Sequence, residues 1–345
     1  MRLVMVLALI LSLAVPVSAA DITAPPVPES GSELMPEEGT SFGEGLWEIL
    51  CRGVAKIRPD IAEAAKISVC IIAAVVLLSV LSTFSGMMEK SCDLVGAVCI
   101  TGILLGSSNA LIRLGSNTVE ELSLYGKMLL PVMTTALAAQ GGLSASASLY
   151  VGTAAFDALL SGLIASILVP MVYLYLALAA ANAAVGDDLL KKLRDFMKWL
   201  MTWTLKTVLY VFTGYMGITG VVSGTTDAAA LKAAKLTISG VVPVVGGILS
   251  DASEAVLVSA GVVKNTAGIY GIFAVLALIA EPFLRIGVHY LILKLTTAVC
   301  GIFGSKRITG LIGDFTSVMG LLLAMTGTVC LMILISTVCF LRGVG

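Results

Sequence analysis

Charged side chains are scarce in this 345-residue chain. They make up 12% of the residues, about half the fraction typical of soluble proteins, whereas 58% of the residues are hydrophobic. The 21 basic and 22 acidic residues nearly cancel, so no overall charge draws the chain to nucleic acid. The mean hydropathy of +1.03 requires a non-aqueous environment for much of the surface. The composition therefore excludes an ordinary soluble protein and predicts an integral membrane protein.

Residues that could support catalysis or bind metal are also scarce. The chain has one histidine, and its seven cysteines show no Cys-x-x-Cys spacing, which argues against a zinc site or a disulfide framework. No pairing of nucleophile and base, Gly-rich phosphate loop or metal-ligand cluster is recognisable. We therefore expect no enzyme activity, no ATPase role within this chain, no metal and no cofactor.

The N-terminal region resembles a secretory signal peptide followed by a polar leader. Residues 1–20 contain one charge, an apolar run and then small residues, a layout that favours cleavage over retention as an anchor. Residues 21–45 are rich in Pro, Glu, Ser and Gly and cannot bury enough apolar area to fold alone, which predicts a flexible extracytoplasmic leader. Residues 46–66 show apolar positions at helical spacing, which predicts an amphipathic helix at the membrane interface or packed on the membrane domain.

Residues 67–345 are predicted to form an all-α, polytopic membrane domain. The clearest span, 67–84, contains no charge, and 146–185 contains Asp157 alone and fits either one long helix bent at Pro170 or two spans. The positive-inside rule places the basic loop 187–198 in the cytoplasm. Four cations before the first span disagree with that rule, because cleavage of the signal peptide would place them on the external side of the membrane. They are Arg52, Lys56, Arg58 and Lys66.

The domain also shows a possible parallel internal repeat. A shift of 112 residues aligns Pro131 with Pro243, and the repeats would cover about 128–222 and 240–341. Equivalent basic loops on one side of the membrane would make the repeat parallel, an arrangement that in transporters places the pathway between the halves.

Ionisable residues at membrane depth are costly and therefore candidate sites. Glu281, Arg285 and His289 follow at intervals of four residues. They predict either a hydrated polar track or a Glu281–Arg285 pair that only fixes the orientation of the helix. Asp157 and Lys206 stand alone in their spans, and each could snorkel, pair with the other or line a pore.

A second candidate site is the run VVPVVGGILSD at 241–251, which places a proline, two glycines and an acid in an apolar setting. Irregular backbone at membrane depth is tolerated only where protein or a water-filled cavity covers it. The run therefore predicts a Gly/Pro-broken or re-entrant helix, with a plain interfacial turn as the alternative.

This run and the residues after it closely resemble the stage III sporulation protein AE family. The resemblance covers the chain from Leu46 onward, including 196–220 and 224–235. The motif marks the family and is not a catalytic signature. Its residues are Pro243, Gly246, Gly247, Ser250, Asp251, Lys264 and Asn265.

The resemblance implies a membrane subunit of the complex that joins mother cell and forespore in endospore-forming bacteria. It implies a location in the mother-cell-derived outer forespore membrane. The implied partners are the ring-forming subunits and secretion-type ATPase of the same operon, and a forespore protein. The expected role is a channel or export-gate subunit, with a homo-oligomer as one form that the assembly could take. A non-conducting scaffold and a self-sufficient secondary transporter are the alternatives, the latter disfavoured because no dense polar site is evident.

Overall fold

The computed structural model describes the backbone of residues 24–37, 40–84, 89–140, 142–241 and 246–342. Its description of side chains leaves out 83–84, 89–90, 220–241, 246–265 and 342. Over the described residues the chain is helical and contains no strand, which confirms the predicted all-α membrane class. The predicted signal peptide, residues 1–20, lies outside the described residues.

Nine α-helices and one π-helical turn follow one another along the described part of the chain. They are α1 (Glu29–Ser32), α2 (Phe42–Lys56), α3 (Arg58–Phe84), α4 (Glu89–Ala139), α5 (Leu143–Leu163), the π turn (Ile164–Leu168), α6 (Val169–Val185), α7 (Asp188–Val241), α8 (Gly246–Phe303) and α9 (Lys306–Arg342).

Five segments within the described residues are long and apolar enough to cross a membrane, so the protein is a multi-pass membrane protein. Four of them contain 36 to 49 residues. At 1.5 Å per residue even a 36-residue helix is about 54 Å long, against about 30 Å for the hydrocarbon core of a bilayer. These helices therefore extend well beyond one bilayer thickness. The segments are Arg58–Ser82, Ser91–Ala139, Leu143–Val185, Thr266–Phe303 and Lys306–Leu341.

The segment Leu143–Val185 forms one continuous helical stretch, which decides between the alternatives that the sequence left open. Pro170 lies at the start of α6. Because proline has no N–H, it cannot donate a hydrogen bond to the carbonyl four residues earlier. The wider π turn directly before it lets the chain pass this position without ending the helix.

The two ends of the helix bundle differ in character. At one end, the turns after α6 and α8 meet, and the Arg307 guanidinium lies against Gly186. We call this the basic end. At the other end, the far end, Leu341 near the end of α9 packs against Gly268 of α8. The core between these ends is a single apolar cluster with side chains from α3 to α9.

The N-terminal segment packs on the side of this bundle. Leu34 and Ile49 are buried against Phe273 of α8. Helix α2 begins with a capping box in which Ser41 and Glu44 satisfy each other's backbone amides. The expectation of a flexible leader over 21–45 considered only the segment's own apolar area, whereas in the structure α8 supplies the apolar surface against which its described residues pack.

Close packing of α5 on α7 generates a prediction. A Cβ on Gly152 would overlap the ring of Tyr215, whereas Gly162 on the same helix has open space. We expect Gly152→Ala to cost about 1–3 kcal/mol through overpacking and to lower the unfolding temperature in detergent. Gly162→Ala, which adds the same methyl group, should be neutral or stabilising. Equal unfolding temperatures for the two variants would contradict this packing.

Candidate functional site

Polar side chains cluster in three places in the described structure, two of which contain residues singled out in the sequence. Glu281, Arg285 and His289 lie on α8, Asp157 lies inside the bundle, and Lys206 is an exposed residue of α7. The predicted broken segment lies outside the described side chains, as do its motif residues Pro243, Gly246, Gly247, Ser250, Asp251, Lys264 and Asn265.

The first place is a ladder of ion pairs between α8 and the N-terminal helices. Lys56 Nζ lies 2.7 Å from Glu281 Oε2, and Arg285 Nε lies 2.8 Å from Asp60 Oδ1. We call these four residues the charge ladder. Hydrogen bonds to Glu281 and then to Glu33 raise the pKa of Lys56, so the ammonium stays charged at physiological pH. Both α8 charges therefore pair with another helix rather than with each other, which favours the orienting role over the hydrated track.

His289 follows the ladder on α8 but belongs to the core. Its side chain is buried, and Nδ1 lies 3.0 Å from the carbonyl oxygen of Arg285, to which it donates in the tautomer protonated at Nδ1. With Ser107 and Ser108 it lines a cavity of about 10 Å³, roughly the space of one water molecule. The histidine is thus held within its own helix.

The second place lies in the half of the bundle nearer the far end, which we call the far half; the other half is the basic half. It is a line of buried polar side chains that we call the polar seam: Ser123, Thr153, Asp157 and Ser336. The Ser123 hydroxyl donates to Asp157 Oδ2 at 2.6 Å, and the Thr153 and Ser336 hydroxyls are 2.5 Å apart. Asp157 is 2% exposed, and its Oδ1 has no hydrogen-bond partner among the described residues.

An unpaired buried oxygen costs about 1–3 kcal/mol. Such a cost in an apolar bundle makes the polar seam the strongest candidate for a functional site, because intramembrane carboxyl groups are retained mainly where they serve transport or binding.

The third place was missed in the sequence. Asp314 of α9 is buried, with its Oδ2 2.7 Å from Arg194 Nη1 and its Oδ1 accepting a hydrogen bond of 2.8 Å from the Tyr175 hydroxyl. The signal was present, since Asp314 is an isolated acid just before the last apolar run.

No group of three or more His, Cys, Asp or Glu side chains in the described part of the chain is arranged to hold a metal ion. What the three places can do is orient helices, stabilise a buried charge and attract ions or water. This chemistry suits a membrane assembly more closely than an active site.

The charge ladder can be tested by exchanging charges. Lys56→Glu and Glu281→Lys each place like charges together, and each should lower the stability in detergent by about 0.5 kcal/mol, because both side chains are partly exposed. The double variant restores opposite charges and should recover most of the loss. Lys66→Glu, a charge change at an exposed α3 residue without an ion pair in the described structure, serves as the control. Additive losses in the double variant would contradict the pairing.

The buried pair at Asp314 should be more sensitive. Asp314→Asn leaves the Arg194 guanidinium, whose side chain is 12% exposed, without its buried counter-ion, and should cost about 3 kcal/mol in thermal unfolding. Asp195→Asn removes the other carboxylate on Arg194, but that side chain is 57% exposed, so its loss should cost under about 1 kcal/mol. A larger loss of stability for Asp195→Asn than for Asp314→Asn would contradict the assignment of Asp314 as the main counter-ion of Arg194.

Comparison with known proteins agrees with these features. The family model described as stage III sporulation protein AE matches residues 37–343. Stage III sporulation protein AE of Bacillus subtilis (strain 168) is 25% identical over 198 residues, which cover 57% of this chain and 49% of that protein. The match thus spans about half the length of that curated relative.

No solved structure is significantly similar to the chain. The family match nevertheless covers nearly all of the described residues, together with their apolar, all-helical architecture. On this basis the chain belongs to the stage III sporulation protein AE family.

Proposed function

We propose that this protein is a membrane subunit of the sporulation complex between mother cell and forespore, and that it forms part of the wall of a conduit or export gate. In this proposal it lies in the mother-cell-derived outer forespore membrane. Its basic end faces the mother-cell cytoplasm and the secretion-type ATPase, and its far half meets the ring-forming subunits, further copies of the chain or a forespore partner.

The observation that carries the proposal is the mismatch between the apolar helices and one bilayer. Exposed apolar side chains occur in the basic half, as at Leu77, and in the far half, as at Val151. Even at a tilt of 40° a helix of about 54 Å projects about 41 Å along the bilayer normal, which exceeds the hydrocarbon core. Lipid alone cannot cover both halves, so protein must cover one of them.

The charge ladder indicates which half lies in lipid. Glu281 and Arg285 lie near the middle of the apolar segment Thr266–Phe303 of α8, and the side chains of Lys56 and Arg285 are each 39% exposed. Exposed charges at the centre of a bilayer cost several kcal/mol, so the ladder belongs at a membrane surface. The basic half contains the charge-free span of α3 and leads to the basic loops, and we assign it to the bilayer. The far half then projects out of the membrane into protein contacts.

The polar seam lies within that projecting half and supports a conduit over a pure scaffold. Asp157 is the only acidic or basic residue between Leu143 and Val185, and its Oδ1 can attract water or a cation once partners assemble around it. A scaffold gains nothing from a buried carboxyl oxygen that has no partner among the described residues. The competing scaffold function is favoured by the charge ladder, which only orients helices.

Site-specific photo-crosslinking tests the covered half. A photoreactive residue at Val151, 62% exposed, should crosslink to protein in sporulating cells, whereas one at Leu77, 64% exposed, should yield lipid adducts. The comparison uses two side chains of similar exposure, so reactivity alone cannot produce the difference. Lipid adducts at both positions would contradict the subunit arrangement.

The conduit is tested separately from assembly. Asp157→Asn keeps the shape of the side chain and its ability to accept a hydrogen bond from Ser123. The variant would be expressed in an endospore-forming host whose own gene for this protein is deleted, and its partner proteins should still co-purify with it. Late gene expression in the forespore should fall at least tenfold. Asp195→Asn, which neutralises an exposed acid at the basic end, should leave both readouts unchanged. Normal late expression in the Asp157→Asn strain would support the scaffold instead.

A further inference from the structure

The basic end contains a cleft of about 280 Å³ between α6, α7 and α9. Four cations and two acids line it, which gives the lining a net charge of +2. Ala179, Ala183 and Leu311 provide an apolar wall beside these charges. The charged lining residues are Lys191, Arg194, Lys306, Arg307, Asp188 and Asp314.

The cations of this cleft are unequally paired. Arg194 is held by Asp314 and Asp195, and Arg307 lies 3.7 Å from Asp93. Lys191 and Lys306 are exposed and make no ion pair with any described residue. Two ammonium groups therefore remain available to a ligand, while the two arginines are already fixed in position.

Backbone geometry adds to this arrangement. Helix α7 begins at Asp188 and α9 begins at Lys306, so the starts of two long helices meet at the cleft. Part of each first turn is capped, because Asp187 accepts from the Leu189 amide and the Ser305 hydroxyl accepts from the Ile308 amide. Gly186 ends α6 with φ +75°, and a Cβ there would lie 2.4 Å from the Arg307 guanidinium carbon. The absence of a side chain at Gly186 thus lets Arg307 reach its place in the cleft. Asp188 opposes an anion, but it lies in the first turn of α7, where the helix dipole offsets its charge.

We propose that this cleft binds a phosphodiester group, supplied by the headgroup of an anionic phospholipid. Lys191 and Lys306 would neutralise the phosphate, and the apolar wall would lie beside the first part of an acyl chain. Basic pockets between membrane helices at the cytoplasmic surface suit such headgroups, because lipid phosphates are concentrated there and lysine contacts them as a point charge. The proposal rests on the placement of the basic end at the cytoplasmic membrane surface proposed above, and it is independent of any conduit.

Retention of lipid by the purified full-length protein tests the site. Native mass spectrometry would compare phosphatidylglycerol with zwitterionic phosphatidylethanolamine for the wild type, Lys191→Gln/Lys306→Gln and Lys192→Gln. Lys192 neighbours Lys191 in sequence but does not line the cleft. We expect phosphatidylglycerol to be retained by the wild type and Lys192→Gln and to bind at least tenfold more weakly to the double variant. Equal retention by all three proteins, or no preference for phosphatidylglycerol, would overturn the proposal.

The same experiment separates the two sources of phosphate. Millimolar inorganic phosphate should not displace the bound phosphatidylglycerol, because it lacks the acyl chains. Displacement by inorganic phosphate would overturn the lipid assignment and identify a site for a soluble phosphate. Without lipid, each variant should unfold at the same temperature as the wild type, since neither lysine makes an ion pair in the described structure. Equal unfolding temperatures would show that weaker lipid binding does not result from misfolding.

Discussion

The long helix α8 is the element on which the rest of the structure depends, because it joins an apolar bundle to a charged middle. It packs on α9, α4 and α3, and it supplies the surface for both N-terminal helices. Its charges at Glu281 and Arg285 must be paired or hydrated, and the structure pairs them with α2 and α3. The apolar segment Thr266–Phe303 of α8 therefore cannot be centred in a bilayer. The proposed division into a lipid half and a protein-covered half rests on that constraint.

The same pairing accounts for cations on the unexpected side of the first span. Arg52 pairs with Glu48 and donates to the carbonyl oxygen of Met35, while Lys56 pairs with Glu33 and Glu281. These groups are committed to the fold of the N-terminal segment. The other two cations before the first span, Arg58 and Lys66, make no ion pair among the described residues, so the pairing accounts for only part of the disagreement with the positive-inside rule.

Composition was sufficient to predict a membrane protein made of long helices, because long apolar runs with few charges are not compatible with a soluble fold. The cost of burying charge also identified Asp157, Glu281 and Arg285 as special positions. Their partners could not be read from the sequence. Glu281 pairs with a lysine 225 residues earlier, and Arg194 pairs with an acid 120 residues later, so only the fold brings them together. Helical spacing alone suggested a Glu281–Arg285 pair, and the π turn before Pro170 had no sequence signature beyond the proline itself.

A depth profile along α8 would show whether the bilayer surrounds only the basic half, as we propose. Spin labels at Ile269, Phe283, Leu291, Leu295 and Val299, all exposed positions, would be compared in liposomes with oxygen and with a water-soluble relaxation agent. We predict oxygen exposure at Leu291, Leu295 and Val299 that exceeds the exposure at Phe283 beside the charge ladder, and no lipid depth at Ile269. The exposed Lys294 in this stretch would extend its ammonium group towards the membrane surface. A maximum at Phe283, which would place the charge ladder at the bilayer centre, would rule out this position of the bilayer.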